Sequence, residues 1–107
     1  MQHRVAVHYR LIVRHAGLEG RGTTENLSDR GAMLSVDIDP SLVPGDLVEF
    51  DIELPGLGTI TVGARVRWTS TVLPGMTGIE FTPPVLPELL GHIAQLVHSG
   101  LSRAQGF

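Results

Sequence analysis

Residues 47–68 restrict the fold more than any other part of this 107-residue chain. Val48, Phe50, Ile52 and Leu54 alternate with Leu47, Glu49, Asp51 and Glu53; after Pro55-Gly56-Leu57-Gly58, the series Ile60, Val62, Ala64, Val66 and Trp68 alternates with Thr61, Gly63, Arg65 and Arg67. A period of two marks a strand, because successive side chains leave a pleated backbone on opposite faces. Two such runs around a Pro-Gly turn form a hairpin with one apolar and one wet face. With Leu54 placed opposite Ile60, Glu49 falls across from Arg65, a cross-strand ion pair of about 0.2–1 kcal/mol.

The same alternation recurs on both sides. Val5, Val7, Tyr9, Leu11 and Val13 face inward against Arg4, His8, Arg10 and Arg14, which predicts a first strand from Val5 to Val13. Ala16-Gly17-Leu18-Glu19-Gly20 is a turn, Arg21 to Leu27 a second strand, and Gly31 to Val36 a third with Ala32, Leu34 and Val36 inward. Asp39-Pro40 and Pro44-Gly45-Asp46 mark an irregular connection. A last strand, Thr77 to Phe81, turns Ile79 and Phe81 inward and ends at Pro83-Pro84. From Pro87 the period changes: Leu86, Leu89, Leu90, Ile93, Leu96, Val97 and Leu101 recur at three and four, predicting one amphipathic helix over about residues 87–101, weakened by Gly100 and followed by a fraying Ser102–Phe107.

Six short strands and one helix predict a mainly β fold: a six-stranded antiparallel β-barrel over about residues 4–82 with a C-terminal α-helix, residues 1–107 forming a single domain. Closing the sheet removes the edges that would otherwise template aggregation, and the helix covers an open mouth or seam. With no cysteine, disulfides, zinc-thiolate sites and thiol nucleophiles drop out together. No apolar run approaches the ~20 residues of a membrane span, and Met1 to Arg10 lacks a signal peptide's apolar centre, so the expectation is a cytoplasmic protein without membrane insertion.

Charge is unevenly placed within a formal net charge of −3, and all eight cationic residues are arginine. Arg4, Arg10, Arg14, Arg21 and Arg30 outnumber Glu19, Glu25 and Asp29 in residues 1–31, whereas acids dominate the remainder. Arginine suits planar, bidentate recognition of phosphate or of a guanine edge, although GC-rich codon usage produces the same bias. The row Glu49, Asp51 and Glu53 reads as a solvent face or a partner patch.

Between the second and third strands stands Asn26-Leu27-Ser28-Asp29-Arg30-Gly31. Strand alternation sends Leu27 into the core and Asn26 and Ser28 outward together, setting two hydrogen-bonding side chains side by side. Gly31 follows where the backbone either takes a positive φ or admits a ligand at close range. Ordinary turn chemistry produces the same string.

These residues resemble the PilZ domain, a family of bacterial cyclic di-GMP receptors. Asn26, Ser28 and Gly31 match its [D/N]-x-S-x-x-G motif, and Pro44-Gly45-Asp46, Ala64-Arg65-Val66-Arg67-Trp68 and Gly78-Ile79-Glu80-Phe81 are similar to its pattern elsewhere. The resemblance implies a six-stranded barrel binding cyclic di-GMP beside the second and third strands, with an R-x-x-x-R motif just before the first strand wrapping over the dinucleotide. Family spacing puts the second arginine of that motif on Arg4 and the first before Met1, leaving the motif incomplete. Arg10 and Arg14 form a literal R-x-x-x-R, but within a strand they stand about 13 Å apart and read as a solvated face. A missing bidentate arginine removes about 1–3 kcal/mol of binding, with Arg21 and Arg30 as the candidates to replace it.

Two functions follow from the resemblance. The first is a stand-alone module that senses cyclic di-GMP through Arg4, Asn26, Ser28 and Gly31, assisted by Arg21 and Arg30, and signals through a protein partner. The second is a degenerate adaptor that does not bind the nucleotide and acts by protein–protein contact in motility, type IV pilus or polysaccharide regulation. An enzyme is not expected. His3, His8, His15, His92 and His98 lack metal-ligand spacing and read as solvated surface residues, and nothing nominates a base for Ser28. No cofactor other than the nucleotide is implied. Five aromatics, mostly inward, leave no stacking platform for a nucleic acid polymer. Monomer and homodimer both remain open, with the helix stripe, Met33, Leu47 and Leu57 as a dimer seam.

Overall fold

The computed structural model describes residues 4–99, so Leu101 of the helix stripe, Gly100, the fraying Ser102–Phe107 and His3 lie outside the described residues. Strands β1 (Arg10–His15), β2 (Leu18–Leu27), β3 (Gly31–Asp37), β4 (Leu47–Leu54), β5 (Gly58–Thr69) and β6 (Met76–Phe81) precede helix α1 (Pro87–His98). They close into an antiparallel barrel in the order β1-β2-β3-β6-β5-β4, with β4 returning to β1. The alternating residues meet inside: Leu11, Val13, Leu34, Phe50, Ile52, Val66 and Phe81 are all buried. From α1, Leu89 and Ile93 join this core, Leu96 and Val97 pack partly against it, and Leu90 stays exposed, as does Leu86 just before the helix. Pro at the helix start and Glu88 in its first turn suit the unpaired N–H groups and positive end of the dipole there.

The predicted first strand is two pieces. Arg10–His15 pairs with β2 and β4, but Val5–Tyr9 forms a strap along the far half of β2, joined to it by a bridge between Val5 and Leu27. Thr24 interrupts the ladder. Its buried hydroxyl donates to the Val7 carbonyl and accepts from Tyr9 N–H at 2.9 Å, replacing main-chain partners. The strap is also tied to α1, because the Tyr9 hydroxyl meets Nε2 of His92 at 2.8 Å and their rings lie 5.5 Å apart. Burial lowers the His92 pKa and raises that of Tyr9, so both are neutral near pH 7 and share one hydrogen bond between phenol and imidazole. His92 is therefore not the solvated surface residue expected.

Other departures come from turns and bulges. The β1–β2 turn is only Ala16-Gly17, both at positive φ as a two-residue hairpin loop of this hand requires, so β2 starts at Leu18. In the β4–β5 hairpin Leu54 pairs with Gly58 and Ile52 with Ile60, making the loop three residues rather than the five that a Leu54–Ile60 pairing needs. Pro55 and Gly56 supply the turn, Leu57 N–H reaching the Leu54 carbonyl at 3.1 Å with Gly56 at positive φ. Glu49 consequently sits opposite Gly63 rather than Arg65, and its carboxylate lies 3.8 Å from Arg14 on β1.

Arg14 is not merely solvated. Its guanidinium makes a two-pronged contact with Asp51, at 2.6 and 2.9 Å, and the Thr61 hydroxyl donates to the same carboxylate at 2.7 Å. These hydrogen bonds hold the Asp51 pKa down at about 2. The acidic row is thus broken at its centre, with Asp51 committed to the wall of the barrel.

Candidate functional site

The outer face of β3, β6 and β5 carries a cleft of about 430 Å³ lined by Arg4, Asn26, Arg30, Met33, Arg67, Trp68 and Glu80, with Gly31 and Gly78 in its floor. That volume lies within the range of about 300–1,000 Å³ usual for small-molecule sites.

Local chain geometry places each lining residue. A bulge between Val66 and Trp68 interrupts the pairing of β5 with β6 and switches faces, so Arg67 and Trp68 are both exposed and Trp68 is not the core residue that alternation predicts. Trp68 pairs with Gly78, and its indole lies across that glycine: a Cβ there would stand 2.0 Å from Nε1 and 2.2 Å from Cε2. One ring face is therefore seated on the β6 backbone. The residue keeps 44% of its surface exposed, so the barrel does offer an outward aromatic platform, contrary to the expectation that the aromatics point inward. Gly78 within a strand is the sequence signal for this close approach.

The loop before β3 is pinned from within. Ser28 is fully buried instead of standing outward beside Asn26. Its hydroxyl accepts from Gly31 N–H at 3.2 Å and Arg30 N–H at 3.3 Å, while its own N–H reaches the Gly31 carbonyl at 2.9 Å. Serine here closes a turn on itself, a common use of a short hydroxyl side chain. Gly31 needs neither a positive φ nor a ligand: a Cβ would stand 2.1 Å from the Ile79 carbonyl oxygen, so its bareness lets β3 and β6 approach. Arg30 is rooted by its carbonyl, which accepts from Phe81 N–H at 2.8 Å, and its side chain lines the cleft.

Two further contacts complete the rim. Arg4 Nη1 donates to Asn26 Oδ1 at 2.8 Å, bringing together two residues separated by 22 positions, the spacing expected for an arginine reaching back over this loop. Arg67 Nη1 lies 3.6 Å from a Glu80 carboxylate oxygen. Of the sequence candidates, Arg4, Asn26, Arg30 and Gly31 thus share one cleft, with Ser28 beneath it. Arg21 does not join them. It stands five residues before Asn26 on β2, about 17 Å away at strand rise, opposite Asp37 and Ile12, and lines other grooves. From sequence, Arg67, Trp68 and Glu80 enter only as family-pattern residues and Met33 only as part of a dimer seam; none is placed in a ligand cleft there, and the bulge that turns Trp68 outward leaves no mark in an alternating pattern. Among the described residues no cluster of acidic and histidine side chains has the arrangement of a metal site.

The fold and cleft define a class: a small closed β-barrel with an arginine-rimmed cleft on its outer wall. The model of the PilZ domain matches residues 1–99, and the chain belongs to that family, whose members are regulatory binding domains. Among solved structures the chain is similar to the PilZ domain of CeSA from a cellulose-synthesizing bacterium, at 21% identity and a TM-score of 0.67 over 91% of this chain and 96% of that one, a likeness of fold. The search of curated proteins returned no match.

Proposed function

We propose that this domain is a regulatory module that takes cyclic di-GMP in the β3-β6-β5 cleft and passes the signal to a protein partner. One observation carries the reading: three arginines, Arg4, Arg30 and Arg67, line a single cleft together with the partly exposed indole of Trp68. A cyclic dinucleotide brings two phosphates and two purine rings. Arginine forks meet phosphate oxygens or a guanine O6/N7 edge, and the Trp68 face stacks a base, a contact contributing about 1–3 kcal/mol. In this arrangement Asn26 aims Arg4 across the loop, and Ser28 and Gly31 shape the main chain that roots Arg30, rather than touching the ligand themselves.

A second reading rests on Ser28. With its hydroxyl turned inward onto the turn, the matched motif presents fewer outward polar groups than its sequence suggests, which favours an adaptor that keeps the barrel without the nucleotide. Calorimetric titration with cyclic di-GMP, followed in parallel by the fluorescence of the single tryptophan, separates the two. Sensing requires saturable binding with a change in Trp68 emission, and a ten- to hundredfold loss of affinity in Arg4→Ala, equivalent to about 1–3 kcal/mol. Absence of heat and of spectral change at large ligand excess leaves the adaptor.

A further inference from the structure

Among the described residues Glu80 is the one acidic side chain lining a cleft otherwise edged with arginine. A carboxylate beside a dianionic ligand repels it, so its presence calls for a compensating contact. The register supplies one. Glu80 lies two residues beyond Gly78 on β6 and on the same outer face, so its backbone stands about 7 Å along the strand from the glycine under the Trp68 indole. That separation is spanned by half a stacked purine together with a glutamate side chain. Arg67 Nη1 lies 3.6 Å from the carboxylate, and both residues line the cleft.

We infer that Glu80 is a specificity determinant: its carboxylate accepts hydrogen bonds from N1–H and the exocyclic amine of a guanine stacked on Trp68, so the cleft distinguishes guanine from adenine cyclic dinucleotides. The inference rests on the proposed nucleotide-binding function. A carboxylate accepts only, with two oxygens side by side, and matches the two adjacent donors on guanine's pairing edge. Adenine presents a bare N1 lone pair at the same place, which a carboxylate repels. Arg67 contributes by steadying the acceptor, and Arg4 and Arg30 remain for the phosphates.

The test titrates wild type and Glu80→Gln with cyclic di-GMP, cyclic di-IMP, which lacks the exocyclic amine, and cyclic di-AMP. Wild type is expected to bind cyclic di-GMP best and to lose about tenfold on cyclic di-IMP. Glu80→Gln is expected to weaken cyclic di-GMP about tenfold, to lose most of the penalty for the missing amine, and to lower the guanine-to-adenine ratio at least tenfold. A Glu80 that only opposes the dianion or pairs with Arg67 gives the opposite sign: Glu80→Gln then binds cyclic di-GMP as tightly or more tightly, with the ratio unchanged, and the inference falls while nucleotide binding stands. Failure of wild type to bind any of the three overturns both.

Discussion

Gly78 and Gly31 sit on neighbouring strands, and both lack room for a Cβ, yet replacing each with alanine is expected to give different results. At Gly78 the obstructing atoms are the Trp68 indole, 2.0 to 2.7 Å from the added carbon, against ordinary carbon contacts of about 3.5–4.0 Å. The ring must retreat by about 1.5 Å, and because it is already 44% exposed it can lift toward solvent. Tryptophan buries up to about 250 Å²; giving up about 70 Å² of its present cover costs about 2 kcal/mol at 25 cal/mol/Å². Alanine's smaller conformational entropy loss offsets about half of that, leaving a net loss near 1 kcal/mol and a Tm lower by about 4–8 °C. At Gly31 the obstruction is the Ile79 carbonyl at 2.1 Å, part of the main chain, and relief requires parting β3 from β6. Gly31→Ala is therefore expected to cost about 4 kcal/mol or more and to leave little folded protein. Thermal unfolding by circular dichroism, with the emission maximum of the sole tryptophan read alongside, checks the pair. Gly78→Ala should shift emission to longer wavelength while the fold persists. Unchanged emission, or equal damage from both substitutions, refutes the placement of the indole on Gly78.

Other consequences are open to direct measurement. Thr24→Val strands the Val7 carbonyl and the Tyr9 N–H, so a loss of about 2–4 kcal/mol is expected in urea unfolding, whereas Thr24→Ser should recover most of it. Asp51, with its pKa held at about 2 instead of near 3.8, binds its proton more readily when unfolded, so its contribution is complete above about pH 5 and is lost as pH falls toward 2. A shift of nearly two units sets a ceiling of about 2.4 kcal/mol, and solvent at this quarter-exposed site reduces it to about 1 kcal/mol; the stability gap between wild type and Asp51→Asn should close over that acid range. His92 runs in the same direction at higher pH. Burial lowers its folded pKa, so the unfolded chain takes the proton first, and the Tyr9–His92 contact stabilises fully above about pH 6.5 and progressively less below; NMR titration should place His92 lower than an unperturbed histidine.

Periodicity carried the architecture. Alternation in residues 47–68, repeated in the flanking runs and replaced by a three-and-four spacing after Pro87, was sufficient for a closed barrel with one terminal helix, because core burial on one face dictates those patterns. What it did not carry was register. A three-residue turn at Pro55-Gly56-Leu57 and the bulge before Trp68 each change which residues oppose or which face they take without altering composition, so Glu49 lost its predicted partner and Trp68 moved from core to cleft. In the site, the same motif letters concealed opposite orientations. Asn26 and Arg30 reach the cleft, but Ser28 turns inward because bonding within its own loop competes with standing free in water, and only the fold decides that competition.

The closed ring of strands also limits how any partner can recognise this domain. Many small β-domains capture peptides by letting an extended segment zip onto an unpaired lip of sheet, reading mostly main chain. Here, among the described residues, β4 returns to β1 and the ring of six strands closes, leaving only short stretches such as the start of β5 paired on one side. A partner docking on the paired part of the wall must read side-chain relief instead, and so will be sensitive to single substitutions there.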